Sequence, residues 1–183
     1  MNSFELHTLA TAPEAAKPLL EQSIKSFGMI PNLHAVMAES PQVLAAYQEL
    51  HGLFMQSSFD KEELTVVWQT INVEHQCHYC VPAHTAIAHS MKIDESIITA
   101  LRDERPLPND KLETLRQTTL QMLKNRGMID SANIAEFYAA GYQKKHLLDI
   151  VLGMSQKVMS NYINHLAQTP VDKPFQEFFW EKK

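Results

Sequence analysis

The chain has 183 residues, 45% of them hydrophobic and 20% charged, which suits one soluble globular domain over residues 1–183. Its formal net charge of -5, without any cluster of Lys and Arg, argues against nucleic-acid binding. No stretch approaches the roughly 20 apolar residues that a membrane span needs, and the first residues lack the pattern of a signal peptide. We therefore expect a cytoplasmic protein with neither nucleic-acid nor membrane partners.

Long runs of helix-forming residues, separated by Pro or Gly, predict an all-α fold. The first helix is predicted to follow Thr11 and to end near Gly28. The segment 28–32 is predicted to be a turn, because the residue before Pro31 avoids the α-helical conformation. Two shorter helices are predicted next, over about residues 33–39 and 41–56.

The following helix has a clear start signal, since Asp60 can act as an N-cap and Glu63 as its capping-box partner. Its apolar stripe is Leu64, Val67, Trp68 and Ile71. Further helices are predicted over about residues 77–91, 94–105, 109–127, 130–141 and 144–166. One side of the last helix carries Leu148, Val151, Leu152, Ser155, Val158 and Met159. The tail holds Phe175, Phe178, Phe179 and Trp180, and we expect it to dock on a neighbouring subunit or on its own fold.

The only two cysteines of the chain lie in the sequence CHYCVPAH at residues 77–84. A structural disulfide is rare in the reducing cytoplasm, so metal binding or redox chemistry is the better interpretation. Residues three and four apart share one face of a helix. We therefore expect Cys77, Cys80 and His84 to project together near a helix N-terminus.

This arrangement predicts a redox dithiol. A helix N-terminus and a nearby imidazole both favour the thiolate, which is the reactive form of cysteine. His84 could accept the proton of Cys80 and later return one to a leaving oxygen. Cys77 is placed to attack an oxidised Cys80 and close a disulfide. Glu74, His75 and His78 are close enough in sequence to extend the proton relay.

Other interpretations stay open at this point. Zinc could use Cys77, Cys80 and His84 with a fourth ligand from His78, His75 or Glu74, although structural zinc usually joins two separated ligand pairs. A c-type haem is excluded, because Val81 follows the second cysteine where such a site needs His. A non-enzymatic oligomeric redox sensor or binding protein would also use the dithiol. The segment 161–165 (NYINH) predicts specific hydrogen bonds, across an interface or into the pocket.

The segment 72–85 resembles the signature of the alkylhydroperoxidase D (AhpD)-like, peroxidase-related branch of the carboxymuconolactone decarboxylase superfamily. Weaker likeness covers segments 28–32, 139–142 and 161–165. The resemblance implies an all-α, AhpD-like fold that assembles into homo-oligomers, trimers or hexamers. It implies a thiol-dependent peroxidase or disulfide reductase for antioxidant defence. Such an enzyme needs a peroxide or disulfide substrate and a reducing thiol, but no cofactor and no metal.

The resemblance also implies roles for single residues: Cys80 is the peroxidatic sulfur, Cys77 resolves it, and His84 belongs to the proton relay. The best-known members complete that relay with a glutamate twelve residues before the first cysteine. Thr65 stands at that position here and cannot act as a base. We expect a carboxylate elsewhere to orient His84 instead, either Glu62 or, closer in sequence to the cysteines, Glu74. Lactone decarboxylation, the namesake activity, is less expected, because it does not rely on the cysteine pair.

Overall fold

The computed structural model describes residues 4–182 of the chain, and within that range all regular structure is helical. The α-helices are α1 (Lys17–Phe27), α2 (Asn32–Met37), α3 (Pro41–Met55), α4 (Lys61–Glu74), α5 (Cys80–Ser90), α6 (Glu95–Arg102), α7 (Asp110–Lys124), α8 (Ser131–Ala139) and α9 (Lys144–Ala167). Short 3-10 helices cover Glu14–Ala16 and Lys173–Phe178. The all-α prediction is confirmed for these residues. The single domain over residues 1–183 stays a prediction, and its residues 1–3 and 183 lie outside the described range.

Helix α4 is the central element of the fold. It begins with the predicted capping box: Asp60 accepts hydrogen bonds from the backbone of Glu62 and Glu63, and Glu63 accepts one from the backbone of Asp60 at 3.0 Å. Every residue from Glu63 to Val73 is buried. Helices α5, α6, α7 and α9 pack around it. The cysteine segment therefore leaves the most buried helix and enters another helix that packs against it.

Gly153 brings α9 close to two other helices. A Cβ atom at this position would lie 2.8 Å from Cε2 of Phe54 on α3 and 3.0 Å from Cγ1 of Val67 on α4. Those distances are shorter than carbon–carbon contact allows, so only glycine fits without a shift of its neighbours. The close approach holds the following turns of α9 against the cysteine segment.

The side of α9 that faces the protein interior is not the side that its apolar residues predict. Leu148 is 72% exposed and Val151 is 46% exposed. The buried side instead carries Ile150, Gly153, Gln156, Lys157, Ser160, Asn161 and Asn164. Polar groups face inward because they hydrogen-bond to side chains on α3, α4 and α5, as described below.

The aromatic tail docks on its own fold. The 3-10 helix Lys173–Phe178 packs on α5, and the Phe178 ring stacks on His89 with 5.1 Å between centroids. Trp180 is buried, and its indole N–H donates to the backbone oxygen of Arg102 at 2.9 Å. Phe179 stays 63% exposed. The tail therefore gives little support for assembly, and the homo-oligomer stays a prediction from the resemblance.

Within residues 4–182, no helix combines the length and the apolar character that a bilayer-crossing segment requires.

Candidate active site

The cysteine pair lies where the chain turns from α4 into α5. Helix α5 begins at Cys80, three residues later than predicted, while Cys77 lies in the preceding turn. Pro82 accounts for the difference, because a helix starting at Cys77 would need an N–H that proline lacks. In the observed helix Pro82 falls in the first turn, where no intrahelical donor is required. Cys77 and Cys80 still lie next to each other, as the sequence predicts, and the Cys80 backbone N–H donates to Sγ of Cys77 at 3.2 Å.

The two thiols are free, buried and chemically unequal. Burial opposes ionisation of Cys80, but a hydrogen bond with the Cys77 thiol and the charge of Lys157 outweigh it. Asn164 adds to this effect, because its Nδ2 donates to Sγ of Cys80 at 3.2 Å. The pKa of Cys80 is therefore lowered from its ordinary value. Burial and then the interaction with Cys80 raise the pKa of Cys77. The surroundings therefore favour the thiolate at Cys80 and the thiol at Cys77.

His84 and Lys157 form the polar contact next to the sulfurs. Both side chains are buried, and Lys157 Nζ lies 2.9 Å from Nε2 of His84. Burial, then the charge of Lys157 and then His51, lower the pKa of His84 well below its ordinary range. The imidazole is therefore neutral. An ammonium group can only donate, so Nε2 accepts this hydrogen bond and the ring proton lies on Nδ1.

A second imidazole is fixed by a chain of hydrogen bonds. The indole N–H of Trp68 donates to Oε1 of Gln156 at 2.8 Å, which orients the amide so that its Nε2 donates to Nδ1 of His51 at 3.0 Å. Burial and then Lys157 lower the pKa of His51 to about 4. His51 is thus neutral, with its proton on Nε2. The Trp68 ring also contacts both imidazoles, with centroid distances of 5.6 Å to His51 and 4.9 Å to His84.

A cavity of about 290 Å³ opens onto these groups. Its walls are mainly apolar and aromatic, and they include Phe27, Leu33, Tyr47, Tyr79, Ile87 and Phe175. Its polar wall includes Cys80, His84, His51 and Lys157. The volume lies at the small end of ligand pockets, which typically span about 300–1,000 Å³. The cavity suits a small, mostly apolar molecule with a polar group near Cys80.

The structure does not bring every candidate to this site. Glu74 is the last residue of α4, and its carboxylate lies 3.2 Å from Nζ of Lys124 on α7 rather than beside His84. Thr65 donates its hydroxyl to the backbone oxygen of Lys61 at 2.8 Å. His75 contacts Oδ1 of Asn161 at 2.9 Å, and His78 contacts the backbone oxygen of Thr169 at 3.0 Å. Cys80 contacts Cys77 and shares the cavity wall with His84, whereas Glu74 lies away from this site.

The sequence indicated a role for Asn164 on α9 but not for Lys157 on the same helix. The cluster at residues 161–165 indicated hydrogen bonds into a pocket or across an interface, and Asn164 reaches Cys80. Asn161 also turns inward, donating to Oδ1 of Asn72 at 3.0 Å. Lys157 had no sequence signal, because a lysine on a long helix is ordinarily solvated.

The zinc interpretation lacks a ligand set: among residues 4–182, no group of three or more His, Cys, Asp or Glu side chains is arranged to hold a metal ion.

Asn164→Leu is expected to raise the pKa of Cys80, because it removes a donor to the thiolate. A hydrogen bond to a charged group contributes about 1.5–3 kcal/mol, which corresponds to a rise of about 1–2 pH units. The rate of alkylation of reduced protein, followed from pH 4 to 9, reports the midpoint. Asn125→Leu, at an exposed position directly after α7, serves as the control. An unchanged midpoint in Asn164→Leu would contradict the role of this amide.

Comparison with known proteins shows the fold. No protein-family model matches the chain, and no curated protein matches its sequence. An uncharacterized peroxidase-related protein from Ralstonia eutropha JMP134, described as an alkylhydroperoxidase AhpD core, is similar at a TM-score of 0.83, with 18% identity over 96% of each chain. The chain therefore has the AhpD-like fold that the resemblance predicted.

Two further structures agree with that fold. An uncharacterized peroxidase-related protein from Silicibacter sp. TM1040 is similar at a TM-score of 0.80, with 19% identity over 95% of each chain. The debrominase Bmp8, as a cysteine-to-alanine variant in complex with 2,3,4-tribromopyrrole, is similar at a TM-score of 0.74, with 14% identity over 97% of this chain and 96% of that one. Proteins with this fold are thus described with more than one activity.

Proposed function

We propose that the protein is a thiol-dependent enzyme that reduces peroxides or disulfides with Cys80 and Cys77. The observation that carries the proposal is the unequal pair: a thiolate-favouring Cys80 on the wall of a cavity, with a protonated Cys77 hydrogen-bonded to it. A nucleophile needs the first property and a resolving thiol the second. The peroxidase-related neighbours of the same fold support the proposal.

The reaction with a peroxide takes two steps. The Cys80 thiolate attacks the terminal oxygen of ROOH, the O–O bond breaks, and RO⁻ takes up one proton to give ROH and a sulfenic acid. The Cys77 thiol then attacks the sulfenic sulfur, and its proton leaves with the hydroxyl group as water. The cysteines lose two electrons in total and end as a disulfide. A reducing thiol, from a protein or a small molecule, restores the dithiol.

The cavity favours organic peroxides over hydrogen peroxide alone. Its apolar walls would contact the R group of ROOH, while the polar wall at Cys80 would receive the peroxide oxygens. We place this activity in the cytoplasm, where a dithiol can be kept reduced, and assign it to antioxidant defence.

The proposal is tested by thiol counting. Reduced protein, freed of reductant and mixed with one equivalent of cumene hydroperoxide, is expected to lose both thiols when these are counted after denaturation. With excess dithiothreitol, the same protein is expected to consume many equivalents of peroxide. Two free thiols after peroxide treatment would reject the proposal. Oxidation in a single round, without turnover in any reductant tried, would instead identify a redox sensor.

Reductive debromination is a second candidate, favoured by the aromatic cavity wall at Cys80 and by the similarity to a debrominase. A dithiol can convert an aryl bromide to the arene, with the formation of one disulfide and the release of HBr. In the same assay, a brominated pyrrole would then consume both thiols and release bromide. Thiol loss with the bromopyrrole but not with peroxide would favour this candidate.

A further inference from the structure

Lys157 places a charged group in the interior of the protein. The side chain is 0% exposed, and within residues 4–182 no Asp or Glu forms an ion pair with it. An ammonium group taken out of water needs a compensating anion, because its desolvation otherwise costs several kcal/mol. Lys157 interacts electrostatically with both sulfurs, and only Cys80 favours the anion. Lys157 and Cys80 also line the same cavity, so the thiolate of Cys80 is the anion that can balance the charge of Lys157.

We propose that Lys157 is the proton store of the dithiol, protonated while Cys80 is a thiolate and neutral once the disulfide has formed. This rests on the proposed dithiol–disulfide cycle. When the disulfide forms, the thiolate disappears and the ammonium would be left buried and unpaired. Releasing a proton keeps the site electrically neutral in both redox states. Lys157 then supplies the proton, a role that Thr65 cannot take because it has no carboxylate.

The route of this proton follows from the contact with His84. His84 passes its Nδ1 proton to the oxygen that leaves when the O–O bond breaks, while its Nε2 takes a proton from Lys157. The reaction thus consumes a thiolate, a thiol, an ammonium group and ROOH. It yields a disulfide, a neutral amine, ROH and water, with no proton exchanged with solvent. Reduction by a dithiol returns one proton to Cys77 and one to Lys157. Lys157 acts through His84 and is a positioning and proton-supplying residue.

The neighbouring titratable groups leave Lys157 as the source of this proton. Lys157 interacts with Cys77, Cys80 and His84, which belong to α5 and to the segment before it. His51 and Tyr47 on α3 and His34 on α2 line the same cavity as Lys157. Burial lowers the pKa of His34 to about 4, so this imidazole holds no extra proton at neutral pH. Burial raises the pKa of Tyr47, which makes it a poor acid.

The test separates the charge of Lys157 from its proton. Lys157→Met removes both and is expected to raise the midpoint of Cys80 alkylation by about 1–3 pH units. Lys157→Arg keeps the charge but cannot release a proton, so alkylation stays near wild type while peroxide reduction falls about 100-fold or more. Lys145→Met, on an exposed site of the same helix, is the control. Wild-type peroxide reduction in Lys157→Arg would overturn the proposal.

Proton balance gives a readout that needs no variant. At pH 7 in weak buffer with a pH dye, wild-type oxidation is expected to take up no proton for each disulfide formed. If Lys157 kept its charge, one proton would be taken up, and that result would overturn the proposal. Diamide replaces peroxide if the protein does not reduce peroxides, because it forms the disulfide with the same proton requirement. A failed proposed function, seen as thiols that survive peroxide, is thereby distinguished from a failed role of Lys157.

Discussion

Cys80→Ser is expected to lower peroxide reduction to the rate of the uncatalysed reaction, whereas Cys77→Ser should still reduce one equivalent of peroxide per chain and then stop. The serine hydroxyl cannot form the anion that Lys157 and Asn164 stabilise at Cys80. Cys77 contributes only after the first step, so its loss leaves a sulfenic acid with no partner.

The two variants are compared by rapid mixing with one and with ten equivalents of cumene hydroperoxide. The expected results are no burst for Cys80→Ser and a burst of one equivalent for Cys77→Ser, trapped as a sulfenic acid by a 1,3-diketone. Circular dichroism checks that both variants fold. A burst in Cys80→Ser but not in Cys77→Ser would reverse the assigned roles. The assignment rests on local geometry, since Cys80 lines the cavity and Asn164 donates to its Sγ at 3.2 Å.

The features that could be predicted from the sequence are those encoded by neighbours in the chain. The capping box at Asp60 needs only a carboxylate and a glutamate three residues later, and it forms as predicted. Cys80 and His84 share one face of α5 because they are four residues apart in the same helix. Cys77 joins them although α5 starts later than predicted, because the turn before the helix keeps its sulfur beside the first helical N–H.

The features that could not be predicted depend on residues far apart in the chain. Periodicity assigns the apolar side of a helix to the core, but on α9 the inward side carries Gln156, Lys157 and Asn164. Each has a partner on another element: Trp68, His84 and Cys80. Glu74 was a candidate because of its closeness in sequence, yet its position at the end of α4 directs it to Lys124. The charged group beside His84 is the ammonium group of Lys157 instead of the expected carboxylate. No local sequence pattern indicates this change in the sign of the charge.

Gly153→Ala is expected to lower the free energy of unfolding by about 1–3 kcal/mol, the usual cost of forcing extra volume into a packed core. Alanine is normally the better helix former by about 1 kcal/mol, so the expected sign opposes helix propensity. The reason is the added Cβ, 2.8 Å from Cε2 of Phe54. Phe54 is fully buried, and its ring has little room to move away. The same crowding would displace α9 and loosen the contacts of Lys157 and Asn164 with the site.

Gly52→Ala is the matched control, because Gly52 lies within α3 and an added Cβ there meets no atom within 4 Å. The free energy of unfolding of this variant should rise by about 0.4–1 kcal/mol.

Urea unfolding of both variants and of Phe54→Leu measures these changes in stability. The destabilisation by Gly153→Ala should be smaller in the Phe54→Leu background. Equal stabilisation by both alanines would contradict the close packing of α3, α4 and α9. A destabilised Gly153→Ala with a raised Cys80 alkylation midpoint would link this packing to the reactive thiolate.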